Sequence, residues 1–182
     1  MVDIFKVKFT VLQEELLRYL YLHAGVVFNA NQLAKRVGVS QTAIAKGLPL
    51  LVKEGFVTQE KDNESGRYAI TLNRDNPAVT GLKRAENLKL LYQSGLPHHL
   101  FDILPGTTIL LFGSFSRGDD IASSDIDIAI IGTKEKKLDL SSFEKKIGRE
   151  ITCNFYGSFA DIHKNLRNNL LNGIVLSGAI EL

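Results

Sequence analysis

"LLFGSFSRGDDIASSDIDIAI", Leu110 to Ile130, is the stretch whose reading decides the fold of the second half of this chain. "TTILLFG" (Thr107 to Gly113) is a continuous apolar run closed by glycine, the pattern of a fully buried strand. "DIDIAIIG" (Asp125 to Gly132) begins in alternation and then turns wholly apolar, which predicts a second buried strand. Side chains alternate across a strand, so Asp125 and Asp127 share one face while Ile126 and Ile128 enter the core. Two carboxylates about 7 Å apart on one face repel each other, and a bound divalent cation stabilises such a pair. Gly113 has no side chain to keep a phosphate from the backbone. Ser114 adds a hydroxyl and an N–H where a helix starts, and Arg117 is spaced to reach back to a phosphate. These parts match metal-assisted phosphoryl chemistry.

Working outward, "EITCNFY" (Glu150 to Tyr156) alternates as a third strand, and "IVLSGAIEL" closes the sequence as an edge strand. "LSSFEKKIG" carries Ser141 and Glu144 at the spacing of a capping box. "SFADIHKNLRNNLL" predicts a helix capped by Ser158, with Ile162, Leu166 and Leu170 inward. Strands alternating with helices imply a small α/β domain with a mixed sheet over 107–182. Upstream, "DNPAVTGLKRAENLKLLYQSG" offers Asn76 as cap, Pro77 at the first helical position and Gly95 as stop. Leu82, Ala85, Leu88 or Lys89, and Tyr92 form its expected apolar face. With the helical turn in "LPHHLFDILPG", residues 76–106 are expected to form a helical linker.

The first 75 residues follow a different pattern. Thr10 and Gln13 stand at capping-box spacing, and Leu12, Leu16, Tyr19, Leu20 and His23 recur at helical intervals. Asn29 or Asn31 caps a short helix with Leu33, Ala34 and Val37. Gly38 stops it, and Ser40 caps a second with Ile44, Leu48 and Leu51 inward. Gly47 and Pro49 inside that second helix predict a kink or a shortened end. "FVTQE" and "RYAITLN" then read as two strands around the turn "KDNESG". Two short helices joined through a glycine turn and followed by a hairpin resemble a winged helix-turn-helix domain. That resemblance implies contact with duplex DNA through Ser40, Gln41, Thr42 and Lys46 at the start of the second helix, and Arg67 on the hairpin. Lys35 and Arg36 are further candidates for phosphates. A winged helix also serves in protein interaction and dimerisation, so a homodimer is among the expectations.

"GSFSRGDDIASSDIDIAI" resembles the signature of the polymerase β-like nucleotidyltransferase superfamily. Its nearest likeness is to minimal nucleotidyltransferases that carry an N-terminal winged helix. The resemblance implies an α+β or α/β architecture: a winged helix (1–75), the helical linker (76–106) and a nucleotidyltransferase domain (107–182). It implies that Gly113, Ser114 and Arg117 hold a triphosphate, with Ser123 and Ser124 lining the same pocket. Asp125 and Asp127 would bind Mg2+ (or Mn2+), with an NTP as substrate and a protein, RNA or small molecule as hydroxyl acceptor. The superfamily places a third carboxylate on the following strand, where this sequence has Thr152 and Asn154. Neither takes up a proton at neutral pH. Glu150 has the right chemistry and the right face, but lies at the strand's beginning. Two readings stay open: an enzyme that transfers a nucleoside monophosphate, and a DNA-binding regulator or antitoxin-like protein that binds nucleotide or a partner without turnover. Asp119 and Asp120 are expected as solvated turn residues.

Composition narrows the rest. The 182 residues carry a net charge of +2, with ten lysines and arginines against eight acids through Asp75 and twelve against twelve after it. This balance permits DNA contact without arguing for it. No apolar run reaches the ~18 residues a membrane span requires, and "MVDIFKVKFT" lacks a signal peptide's apolar core. A lone Cys153 predicts a buried structural thiol in a reducing compartment, hence a cytoplasmic protein. The histidines have no partner at zinc-ligand spacing.

Overall fold

Thr10 caps α1 (Val11–Leu22): its hydroxyl accepts from the Gln13 N–H, and the Gln13 side chain accepts from the Thr10 N–H. The Gln13 amide also donates to the Gly47 carbonyl at 3.0 Å, inside the core. This computed structural model describes residues 8–61 and 66–180, and the chain divides into two units, Met1–Val79 and Thr80–Leu182.

In the first unit, α2 (Ala30–Val37) is capped by Asn29, which forms a capping box with Gln32. Gly38 ends it in the left-handed conformation at φ +76°, where a side chain would be strained. Ser40 caps α3 (Gln41–Lys53) by accepting from the Ala43 N–H. Of the two expectations for Pro49, the shortened end is not found: α3 continues to Lys53 with Pro49 inside it. Both Pro49 and Ala45, whose carbonyl loses its helical donor, are exposed, so water can serve that carbonyl. β1 (Val57–Lys61) and β2 (Tyr68–Leu72) pair antiparallel, and Phe28 adds a bridge to Ile70. Most of the expected turn between the strands, residues 62–65, lies outside the described residues. Leu16, Leu20, Leu33, Ile44, Leu51 and Ile70 are fully buried at the centre. Each contributes about 1.5–3 kcal/mol relative to exposure. Helix, turn, helix and hairpin on one core make this unit a winged helix.

The second unit is a four-stranded mixed sheet in the order β5-β4-β3-β6. β3 (Thr108–Phe112) pairs antiparallel with both β4 (Ile126–Ile131) and the edge strand β6 (Ile174–Ser177). β4 pairs parallel with β5 (Ile151–Tyr156). One face carries Ile109, Leu111, Ile128 and Ile130 against Leu91 and Leu96. They come from α4 (Pro77–Ser94) and α5 (Leu96–Ile103). The other carries Leu110, Ala129 and Ile131 against Phe159, Ile162 and Leu170. α4 and α5 cover one face, and α8 (Lys164–Leu171) together with the turn residues Phe159 and Ile162 covers the other, a mixed-sheet α/β unit as expected.

Four local expectations are corrected. The buried positions of α4 include Lys83, Asn87 and Leu91, while Leu82 and Tyr92, expected inward, are 48% and 53% exposed. Asp120, expected in solvent, is 1% exposed. α7 (Ser141–Ile147) has no side-chain cap; Ser141 donates instead to Asp139, and Glu144 accepts from the Ile151 N–H at 3.0 Å. α8 (Lys164–Leu171) begins later than expected and is capped by His163, because Ser158 closes a turn onto Asp161. Cys153 packs against the core, and burial pushes its thiol up to about 11, which leaves it protonated at neutral pH. Among the described residues no helix is long and apolar enough to cross a membrane.

Candidate functional site

β3 ends at Phe112, and the chain turns at once into a short helix, α6 (Gly113–Arg117). Gly113 adopts φ +73°, and a Cβ built there would run into the Asp127 carboxylate, with Asp127 Cγ at 3.0 Å. Two independent reasons therefore require glycine: the left-handed backbone and the closeness of an acid. The register explains the closeness, since Phe112 lies opposite Asp127 in the β3–β4 ladder.

Asp127 is half-buried and Asp125 is exposed. Burial first, and then the neighbouring Asp125 carboxylate, raise the Asp127 carboxyl above its ordinary value; Arg117 lowers it in part. The shift places Asp125, Asp127 and Arg117 in one electrostatic neighbourhood. Arg117 also donates from Nε to Asp119 at 3.1 Å. Ser114 is partly exposed at the start of α6. Ser123 is exposed, whereas Ser124 is committed to the loop: its Oγ accepts from the Ile121 N–H at 3.0 Å.

The strand beside Asp127 shows what the site lacks. Thr152 of β5 is directly paired with Asp127, and Asn154 with Ala129. Glu150 precedes β5, is exposed, and accepts from the Ile126 N–H through its backbone carbonyl at 2.9 Å. Among the described residues no three His, Cys, Asp or Glu side chains gather closely enough to hold a metal ion. A site of two carboxylates still fits Mg2+, which is commonly held by one or two protein carboxylates together with substrate phosphates and water. Burial and, after it, the Asp125 carboxylate raise the Asp127 carboxyl, and a divalent cation would offset the second of these, so the acid pair and such a metal match in chemistry.

Sequence reasoning missed the residues that hold this loop. Asp120 is enclosed by Lys83 and Asn87 of α4 and by Arg149, which stands just before β5. Lys83 and Asn87 lie off the apolar stripe that the sequence offered, so no local signal marked them.

In the first unit, Ser40 is occupied as a cap and Gln41 donates to Asn31 Oδ1 at 2.9 Å. Thr42 and Lys46 are exposed on α3. Gln41 and Arg67 share a cavity of about 550 Å³ with Asn29, Asn31, Gln59 and Tyr68. The structure thus brings the start of α3 and the turn end of the hairpin together along one groove, whose wall also includes Ala45, Leu48 and Pro49.

Residues 107–179 match the family model described as polymerase beta, nucleotidyltransferase, and this part of the chain is a nucleotidyltransferase domain of that kind. No curated protein matches the chain. Among solved structures, the MepR–DNA complex of Staphylococcus aureus is 18% identical, over 53% of this chain and 78% of that one, with a TM-score of 0.39. ZitR of Lactococcus lactis in complex with DNA is 20% identical, over 55% of this chain and 68% of that one, also at a TM-score of 0.39. HmgR of Pseudomonas aeruginosa is 24% identical, over 56% and 40%, at 0.34. It is element order and packing that make the first unit a winged helix.

Proposed function

We propose that the second unit binds an NTP with Mg2+ or Mn2+ at Asp125 and Asp127 and transfers its nucleoside monophosphate to a hydroxyl acceptor. The observation that carries this reading is the closeness of the Asp127 carboxylate to Gly113, where any Cβ would run into it, which joins the acid pair to the Gly-Ser turn. Asp125 and Asp127 would hold the metal, which supplies charge neutralisation on the phosphates. Gly113 leaves room for phosphate at the backbone, and Ser114 and Arg117 offer donors. In the transfer the acceptor oxygen bonds to the α-phosphorus, and the bond to the bridging oxygen breaks. Pyrophosphate leaves with the electron pair. The acceptor's proton goes to water, to Glu150 or to a base on the acceptor's side, since Thr152 and Asn154 cannot take it.

Thr152 opposite Asp127 favours a second reading, in which nucleotide is bound without turnover and the winged helix acts on duplex DNA. Loss of general-base help costs about 10²–10⁴ in rate and leaves binding intact. One experiment separates the readings. The protein is incubated with Mg2+, each α-labelled NTP and extract of the source cells, beside an Asp125→Asn/Asp127→Asn control. Label on a discrete acceptor that disappears in the control supports transfer. Metal-dependent NTP binding without label supports the second reading, and Thr152→Asp is then expected to create or accelerate transfer. A chain that binds no NTP sinks both. DNA contact is checked by duplex binding of the full chain with Thr42→Ala/Lys46→Ala/Arg67→Ala as control, with and without NTP.

A further inference from the structure

The loop from Gly118 to Ser124, which delivers the chain to Asp125, is held from beneath by a cluster of buried charge. Asp120 is 1% exposed, Lys83 1%, Asn87 2% and Arg149 7%. Asp120 Oδ1 accepts from Lys83 Nζ and, at 2.7 Å, from Asn87 Nδ2. Its Oδ2 accepts from Arg149 Nη2 at 3.2 Å. The other arm of the same guanidinium, Nη1, donates to the carbonyls of Ile121 and, at 3.0 Å, Ser124. Asn87 also donates to the Phe115 carbonyl at 3.0 Å, which ties α6 to the cluster. The two pieces of backbone flanking the site, α6 on one side and residues 121–124 on the other, are thus anchored to one carboxylate.

Burying such a group of charges brings little net stability, because desolvation offsets the attraction. A fold needing only stability at this place would be served as well by apolar residues. What the cluster does provide is geometry. Arg149 is the residue type for the task, since its planar fork satisfies a carboxylate and two carbonyls in fixed directions, which an ammonium cannot. Gly118 fits the same account: at φ +81° it lies so close to α4 that a Cβ would stand 2.8 Å from the Arg84 nitrogen.

We propose that Asp120 and Arg149 are positioning residues for the metal-binding acids. By fixing Ile121 and Ser124 they set where Asp125 enters β4, and so set the spacing of Asp125 and Asp127 at the metal. This proposal rests on the reading of that pair as a metal and nucleotide site. Groups that orient metal ligands typically matter about 10–100-fold in affinity.

The test uses the full chain with Arg149→Lys, which keeps the charge and loses the fork, and with Asp120→Asn. Leu170→Ala, in the apolar layer on the other face of the sheet, serves as a variant that loosens the fold away from the cluster. Mn2+ affinity in the presence of ATP is followed by electron paramagnetic resonance, well below the melting temperature of each variant. Arg149→Lys and Asp120→Asn are expected to weaken Mn2+ about 10–100-fold, and Leu170→Ala to leave it unchanged. Amide exchange supplies a readout independent of ligand: residues 119–127 are expected to exchange faster in Arg149→Lys, with β3 and β5 unaltered. Unchanged Mn2+ affinity in the folded variants overturns the proposal, as does equal weakening in Leu170→Ala. If the unaltered protein binds no Mn2+ with ATP, the functional reading falls, and amide exchange alone decides the positioning role: unchanged exchange in 119–127 refutes it.

Discussion

Asp127 is strained in charge where it stands. Burial and the Asp125 carboxylate raise its pKa in the folded chain above the unfolded value, so ionisation disfavours the fold. The penalty is absent well below the unfolded carboxylate pKa and grows as pH rises through the folded one. Because the side chain is partly exposed, solvent screening limits the effect to about 0.2–1 kcal/mol. Asp127→Asn is therefore expected to melt about 0.4–4 °C higher than the unaltered chain at pH 7 without metal, with the difference shrinking toward pH 4. Added Mg2+ with NTP is expected to stabilise the unaltered chain and not the variant. Thermal melts at both pH values check it, and a lower melting point for Asp127→Asn at pH 7 refutes it. At this scale the acid pair, Gly113 and Arg117 were legible, because the signature is local and the strand period fixes which acids share a face. Asp120 was not. A carboxylate next to Asp119 and a glycine reads as a turn, and its partners Lys83 and Arg149 are far away in sequence and named by no local pattern.

α4 shows how an element can be recognised and still be turned the wrong way. Its cap and stop were plain in Asn76, Pro77 and Gly95, and Asn76 does accept from the Ala78 N–H at 3.0 Å. The apolar residues Leu82, Ala85 and Tyr92 suggested one face, yet the buried line runs through Lys83, Asn87 and Leu91. A shift of one residue is about 100° around the axis. Hydrophobic periodicity cannot find a buried face when two of its members are polar and paired across the fold. The strands were easier, because alternation survives whatever the partner. The pairing sense was not readable: nothing in β4 announces an antiparallel neighbour on one side and a parallel one on the other. Gly81 gives a clean test of the helix. It lies exposed in α4, and a methyl group added there would meet nothing within 4 Å. Gly81→Ala is expected to stabilise the chain by about 0.5–1 kcal/mol without affecting the site. Gly118→Ala is expected to do the reverse, since it combines a positive φ with the approach to Arg84. Urea unfolding of the two variants distinguishes a rigid, fully formed α4 from one that frays at Gly81, for which the first substitution would matter little.

For the chain as a whole, the question is where the second folding unit begins. The family match starts at residue 107, and the change from helical to strand pattern suggested the same place. The structural division instead falls after Val79, inside α4. The difference is physical. Leu91, Leu96, Leu100 and Leu104 are at most 2% exposed in the core of the second unit, and each is worth about 1.5–3 kcal/mol. Lys83 and Asn87 supply two of the groups around Asp120, and stripping partners from a buried charge costs about 3–5 kcal/mol. Together these losses exceed the ~5–15 kcal/mol by which a typical domain is stable at all once the four leucines are counted near the upper end of their range. A fragment of residues 107–182 is therefore expected not to unfold cooperatively and to be poorly soluble. A fragment of residues 76–182, which keeps the Asn76 cap, both helices and the Asp120 partners, is expected to show a cooperative denaturant transition and to retain whatever metal and nucleotide binding the full chain has. If 107–182 alone unfolds cooperatively and binds as tightly as 76–182, α4 and α5 add nothing to the site, and the buried cluster around Asp120 holds its loop without them.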